Sequence, residues 1–175
     1  MAEAVLTRRS IVKNEYELLY DNTITGSATN TVDITGLNLV KGEEYVLEAE
    51  IINAAGVSKG YTLYVNANYT NSNYYCQGLD VASATIAQGR ENIPYAILNI
   101  ASGRSSTRCH IKISDNGIFT WQSHVTNGVG GSSLAIREYY GSSTFTITNA
   151  TSLRIYEATA SIGIGSRFQL YKVGK

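Results

Sequence analysis

The sequence predicts an all-β domain, an antiparallel sandwich or barrel. Three observations carry that reading. Apolar and polar residues alternate with period two along most segments that are not turns. Residue usage is that of strands and tight turns, with 13 tyrosines and 16 glycines against a single proline in 175 residues. No long segment carries a helical period.

The length fits one domain, residues 15–175, preceded by an arm or short helix at residues 1–14. A chain of this size buries roughly 70% of its unfolded surface and folds without a disulfide scaffold or a metal. Within the arm, Val5, Leu6 and Ile11 are apolar and Arg8 and Arg9 are basic, a composition suited to docking on a partner subunit. Its apolar piece is too short for a secretory core and its arginines follow that piece, so no cleaved export signal is expected.

The first strand candidate is Glu15–Tyr20. "TVDIT" then alternates Val32 and Ile34 with Thr31, Asp33 and Thr35. "EEYVLEAEI" places Tyr45, Leu47, Ala49 and Ile51 on one face and Val46, Glu48 and Glu50 on the other. "GYTLYV" alternates Tyr61, Leu63 and Val65 with Thr62 and Tyr64, and Tyr74–Leu79 follows. "NIPYAILNIA" is apolar on both faces and reads as a more central strand, although Pro94 argues for an edge or bulge near its start. Ser133–Tyr139, Thr144–Thr148, Ser152–Ala158 and Arg167–Val173 complete the series. Turns are expected at Lys41-Gly42, Lys59-Gly60, Asn127-Gly128, Gly130-Gly131, Gly141-Ser142 and Gly163–Gly165.

The stretch "CHIKISDNGIFTWQSHV", Cys109–Val125, holds both histidines, the only tryptophan and one of two cysteines. "RCHIKI" and "FTWQSHV" both alternate, and "DNG" separates them. A two-residue turn would set Ile113 against Thr120 and mix the faces. A three-residue loop, Asp115–Gly117 with Gly117 in the left-handed region, sets Ile113 against Phe119 and Ile111 against Trp121. That register puts His110 opposite Gln122 and Arg108 opposite His124. The histidines then lie on a diagonal, about 7 Å or more apart. Zinc would need both plus further ligands at about 2 Å, and the neighbours Arg108 and Lys112 repel a cation. No metal or other cofactor is expected.

The chemistry of other classes is also missing. Lys+Arg and Asp+Glu are both 14, so there is no electrostatic footprint of a nucleic-acid binder. No apolar run reaches the 18 or so residues of a membrane helix. There is no GxSxG elbow, HExxH, P-loop or strand-linked GxGxxG. Glu43-Glu44 points to opposite faces of a strand and Asp115 belongs to a turn, so neither makes an acid/base pair. No catalytic residue is assigned. Cys76 and Cys109 read as buried thiols, with a single bridge between them left open. What stands out is "YVNANYTNSNYY", where Tyr64, Tyr69, Tyr74 and Tyr75 sit among asparagines; Tyr139 and Tyr140 form a second pair. These tyrosines suit a protein interface or a sugar-stacking surface, or they are core residues of a hairpin.

The stretch from Tyr16 to Lys172 resembles a family of bacteriophage virion proteins with jelly-roll-like β-sandwich domains. The resemblance runs in order through "YELLYDNTITGS", "ITGLNL…GEEYVLEAEIINA", "YTLYVNANYTNSNYYCQGL", "ENIPYAILNI" and "DNGIFTWQS". It closes on "ATASIGIGSRFQLYKVGK", a glycine turn feeding a terminal strand. It implies a non-enzymatic structural role in the virion, made in the host cytoplasm, as capsid decoration, cement or a short fibre. The implied partners are capsid or other virion proteins and further copies of the chain, with a trimer favoured. The alternative is a carbohydrate- or receptor-binding module of a tail protein, which would take a host-surface glycan.

Overall fold

The computed structural model describes residues 16–82, 85–99, 103–129, 133–159 and 161–174. Twelve strands are present among them: β1 Tyr16–Thr23, β2 Thr31–Val40, β3 Glu44–Ile52, β4 Lys59–Val65, β5 Tyr74–Ala82, β6 Thr85–Glu91, β7 Tyr95–Asn99, β8 Arg104–Ile113, β9 Ile118–Val129, β10 Ser133–Thr146, β11 Asn149–Tyr156 and β12 Arg167–Val173. The one helical piece described is a 3-10 turn, Asn71–Asn73.

The strands form two antiparallel sheets, ordered β1-β12-β3-β8-β9-β10-β5-β6 and β2-β11-β4-β7. With the two hairpins β5-β6 and β9-β10 set aside, the chain changes sheet at every step but one, β4 to β7, which are neighbours in the four-stranded sheet. The order β1-β12-β3-β8 against β2-β11-β4-β7 is that of a jelly roll. Both hairpins are inserted into the same sheet and lengthen it past β8, beyond the width of its partner.

Alternation decides which face is buried. Val32, Ile34, Leu47, Ala49, Ile51, Leu63, Ile111, Phe119, Leu153, Ile155, Phe168 and Leu170 share one core between the sheets. At about 25 cal/mol per Å² of apolar surface removed from water, this cluster is the main driving force for the fold. Buried tyrosines keep their hydroxyls satisfied. Tyr45 Oη accepts from the Val40 N–H at 2.9 Å, and Tyr74 Oη accepts from Val65 N–H while donating to the Asn68 carbonyl.

The hairpin follows the three-residue register. Ile113 pairs with Phe119, Ile111 with Trp121, His110 with Gln122 and Arg108 with His124. Gly117 has φ +81°, its N–H donates to the Ser114 carbonyl, and Ser114 N–H donates to Ile118. The Lys41-Gly42 and Gly163–Gly165 turns also form, with Gly42 and Gly165 at positive φ.

Other expectations are corrected. "NIPYAILNIA" contributes β7, an edge strand rather than a central one. It is apolar on both faces because the lengthened sheet curls over it. Trp121 Nε1 and Cys76 Sγ, from β9 and β5, both donate to the Tyr95 carbonyl of β7, at 3.1 and 3.3 Å. Pro94 sits just before the strand, where no ladder donor is lost. Gly141-Ser142 is not a turn: residues 133–146 are one strand with an irregularity between Ser142 and Thr146. Asn127-Gly128 lies inside β9, and Lys59-Gly60 opens β4. Thr62 and Tyr64, which alternate with Tyr61, Leu63 and Val65, are buried as well: Tyr69, Tyr74 and Tyr156 pack around the Tyr64 ring, and the Thr62 hydroxyl donates to the Tyr156 carbonyl. β6 had no counterpart among the expected strands. Gly130-Gly131 and the arm residues Val5, Leu6, Arg8, Arg9 and Ile11 lie outside the described residues.

Candidate functional site

The outer face of the eight-stranded sheet begins as a charge ladder. Odd-numbered inward residues of β8 leave Arg104, Arg108, His110 and Lys112 outside, against Glu44, Glu48 and Glu50 of β3. Lys112 Nζ lies 3.0 Å from Glu44, Arg108 lies 3.7 Å from Glu48 and Arg104 lies 3.6 Å from Glu50. His110 Nδ1 is 2.7 Å from Glu44 Oε1, and His124 Nδ1 is 3.5 Å from Glu138. Hydrogen bonds from His110, and then from Lys112, hold the Glu44 carboxyl below the ordinary glutamate value. The face is therefore locally neutralised, and exposed pairs of this kind contribute only about 0–1 kcal/mol each. Each histidine is matched to its own carboxylate on this face. Among the described residues no group of three His, Cys, Asp or Glu is placed to hold a metal ion.

Past β9 the same face turns apolar. Ile136 of β10 lies directly opposite Val81 of β5, Leu79 is one register step away, and all three are exposed. Tyr140 lies opposite Gln77 and Tyr75 opposite Ser142, so the two rings form a diagonal on this face. Both are about half exposed, at 46% and 45%. Tyr140 Oη donates to Glu138 and accepts from Gln122, and the Arg90 guanidinium lies 5.4 Å from the Tyr75 ring centre. Beside Tyr140, a shallow depression of about 320 Å³ is lined by Glu44, His110, Lys112 and Gln122.

The six tyrosines singled out from the sequence therefore do not form one platform. Tyr64, Tyr74 and Tyr139 are core residues. Tyr75 and Tyr140 share the outer face of the large sheet. Tyr69 packs edge-on against Tyr64, away from Tyr75 and Tyr140, its ring 4.2 Å from the Arg154 guanidinium, which is itself bound bidentately by Asp33. At the far edge of the large sheet, β1 exposes Tyr16, Leu18 and Leu19. Cys76 and Cys109 are separate buried thiols, not a disulfide.

A polar feature on the inner face was not legible in the sequence. Arg137 of β10 pairs in register with Asp80 of β5, and Arg137 Nη2 lies 2.8 Å from Asp80 Oδ2. Only 9% of the Arg137 side chain is exposed, against 34% for Asp80. Arg137 Nε and Nη1, Asp80 Oδ1, and the hydroxyls of Ser105, Thr107 and Ser123 are buried with no hydrogen-bond partner. All six atoms belong to the inner side of β8, β9, β10 and β5. The sequence signal was weak, because a strand with an arginine at an inward position looks like any alternating strand.

No family model, curated protein or solved structure matches this chain.

Proposed function

We propose that this chain is a non-enzymatic structural protein of a phage virion, acting through protein–protein contacts with capsid or other virion proteins and with further copies of itself. The observation that carries this reading is the apolar end of the large sheet's outer face. Tyr75, Leu79, Val81, Ile136 and Tyr140 stand exposed together, while the neighbouring β3-β8 part of that face is covered by matched charges. Aromatic and aliphatic groups ringed by polar ones are the make-up of an interface core. The jelly roll supports the reading by analogy, since capsid and lectin domains share it and fold alone does not choose between them. The exposed Tyr16, Leu18 and Leu19 of the β1 edge offer a second contact. Repetition around a symmetric particle would turn modest single contacts into strong attachment.

The test is quantitative composition of purified particles, followed by rebinding. The expected result is this chain at capsid-scale copy number and recovery of binding by added wild-type protein but not by Ile136→Asp. Absence from particles would refute the virion role. Retention of glycans on an array, abolished by Tyr75→Ala with Tyr140→Ala, would replace it with the receptor-binding reading.

A further inference from the structure

We infer that the two apolar ends of the large sheet are opposite halves of one interface, through which copies of this chain join head to tail. The inference rests on the contact-surface reading above and names the partner of that surface. Tyr75, Leu79, Val81, Ile136 and Tyr140 lie on β5 and β10; Tyr16, Leu18 and Leu19 lie on the edge strand β1, five strands away from β10. Leu18 is 51% exposed, more than any residue of the first patch. Leu19 is the extra residue of a bulge and has no register partner on β12.

Two unlike patches call for an interface between unlike surfaces. The pairs Glu44–Lys112, Glu48–Arg108 and Asp21–Arg167 separate the patches on this face. Ionised side chains are costly to bury, so one flat partner does not cover both ends in a single contact. A two-fold contact between like ends buries one patch of each copy and leaves the other in water. A head-to-tail contact buries both with one kind of interface, and it closes into a ring where the rotation between copies allows, three copies on the trimer reading.

The charges also suit unlike ends. Glu17 and Asp21 are the only charged residues of β1. Asp21 is bound by Arg167, and Lys172, the register partner of Glu17, reaches Glu43 instead. Glu17 thus has no basic partner among the described residues. On the other patch, the exposed Arg90 lies over the Tyr75 ring and has no carboxylate partner among the described residues. Like ends bring one sign of unpaired charge together, and unlike ends bring both. The aromatic anchors are held in advance: Arg108 donates to Tyr16 Oη at 2.8 Å, and Glu138 and Gln122 hold Tyr140. Rings fixed this way lose little freedom on contact.

The experiment is complementation between two full-length variants, followed by native mass spectrometry and circular dichroism. Ile136→Asp damages one patch and Leu18→Asp the other; both residues are exposed. Each variant alone should be monomeric. Their equimolar mixture should form a one-to-one dimer and nothing larger, because only one intact pair of unlike patches remains. If Leu18→Asp assembles as the wild type does while Ile136→Asp stays monomeric, head-to-tail joining fails and the surface on β5 and β10 still stands. Two monomeric variants that do not join on mixing would also overturn the inference. Absence of the chain from particles bears on the virion role alone. If a variant loses the wild-type circular dichroism, a charge swap decides. Glu17→Arg and Arg90→Glu should each weaken assembly by about fivefold or more, and the double variant should regain most of it. A double variant weaker than either single one would contradict the pairing of the two ends.

Discussion

The Trp121 indole occupies the space that a side chain at Gly141 would need. A Cβ built on Gly141 would lie 1.9 Å from Trp121 Cζ2, and the two residues are register partners on β9 and β10. The glycine is there so that the indole can lie flat across the neighbouring strand and reach the Tyr95 carbonyl. Gly141→Ala should therefore destabilise the protein by about 3 kcal/mol, at the upper end of overpacking costs. Urea denaturation followed by tryptophan fluorescence measures it, and a cost under about 0.5 kcal/mol would contradict the packing.

Two other glycines separate backbone strain from crowding. Gly117 and Gly26 both have positive φ, +81° and +84°. A Cβ at Gly117 would meet the Ile147 carbonyl at 2.7 Å, while nothing lies within 4 Å at Gly26. Alanine at Gly26 should cost only the left-handed penalty, about 1–2 kcal/mol. Alanine at Gly117 should cost more, because it also disturbs the loop that sets the hairpin register. Equal melting points for the two variants would argue against the close approach at Gly117.

Glu157 should shape the acid limb of stability. Burial alone would raise its carboxyl, but hydrogen bonds from the Thr159 hydroxyl and N–H, the Ser161 hydroxyl and Lys59 outweigh it and leave it below its ordinary 4.5. The folded group holds its proton less tightly than the unfolded one. Its contribution is therefore full above 4.5 and is lost as pH falls through the lower folded value. Glu157→Gln should cost about 1–2 kcal/mol at neutral pH and flatten the stability loss below pH 4.5. Denaturation curves at several pH values would reveal an unchanged acid slope if this is wrong.

The two thiols should be silent in the native state. Cys109 is fully buried, and burial pushes its thiol well above the ordinary range; Cys76 is 4% exposed. The thiolate is the reactive form, so a thiol reagent should label neither residue without denaturant and both with it. Rapid native labelling, or a reduction-dependent melting point, would contradict the buried-thiol arrangement.

Some of this architecture could be read from the sequence because the physics is local. Ile111, Ile113, Phe119 and Trp121 fix the hairpin register, since only one loop length keeps them on one face. The tyrosines of β4, β5 and the loop between them were harder. Period two says which residues share a face but not what covers it, so buried Tyr64 and exposed Tyr69 looked alike. Gly141 was misread as a turn because glycine's signal is ambiguous: it permits a bend, and it also makes room for a neighbour. β6, polar and at the sheet edge, lacks the alternation that a covered face imposes. Arg137 and Asp80 meet only because β10 and β5 are neighbours across 57 residues of chain, a pairing no local pattern contains. The apolar end of the outer face depends on the same pairing.

That outer face is the centre of the account, and the mass of the purified protein in solution tests it most directly. Native mass spectrometry of the wild type should show an oligomer, a trimer on the present reading. Ile136→Asp should run as a monomer with unchanged circular dichroism, because Ile136 is exposed and its loss leaves the core intact. A wild type that stays monomeric at every concentration, or an Ile136→Asp oligomer of undiminished stability, would contradict the claim that Tyr75, Leu79, Val81, Ile136 and Tyr140 form a contact surface between copies.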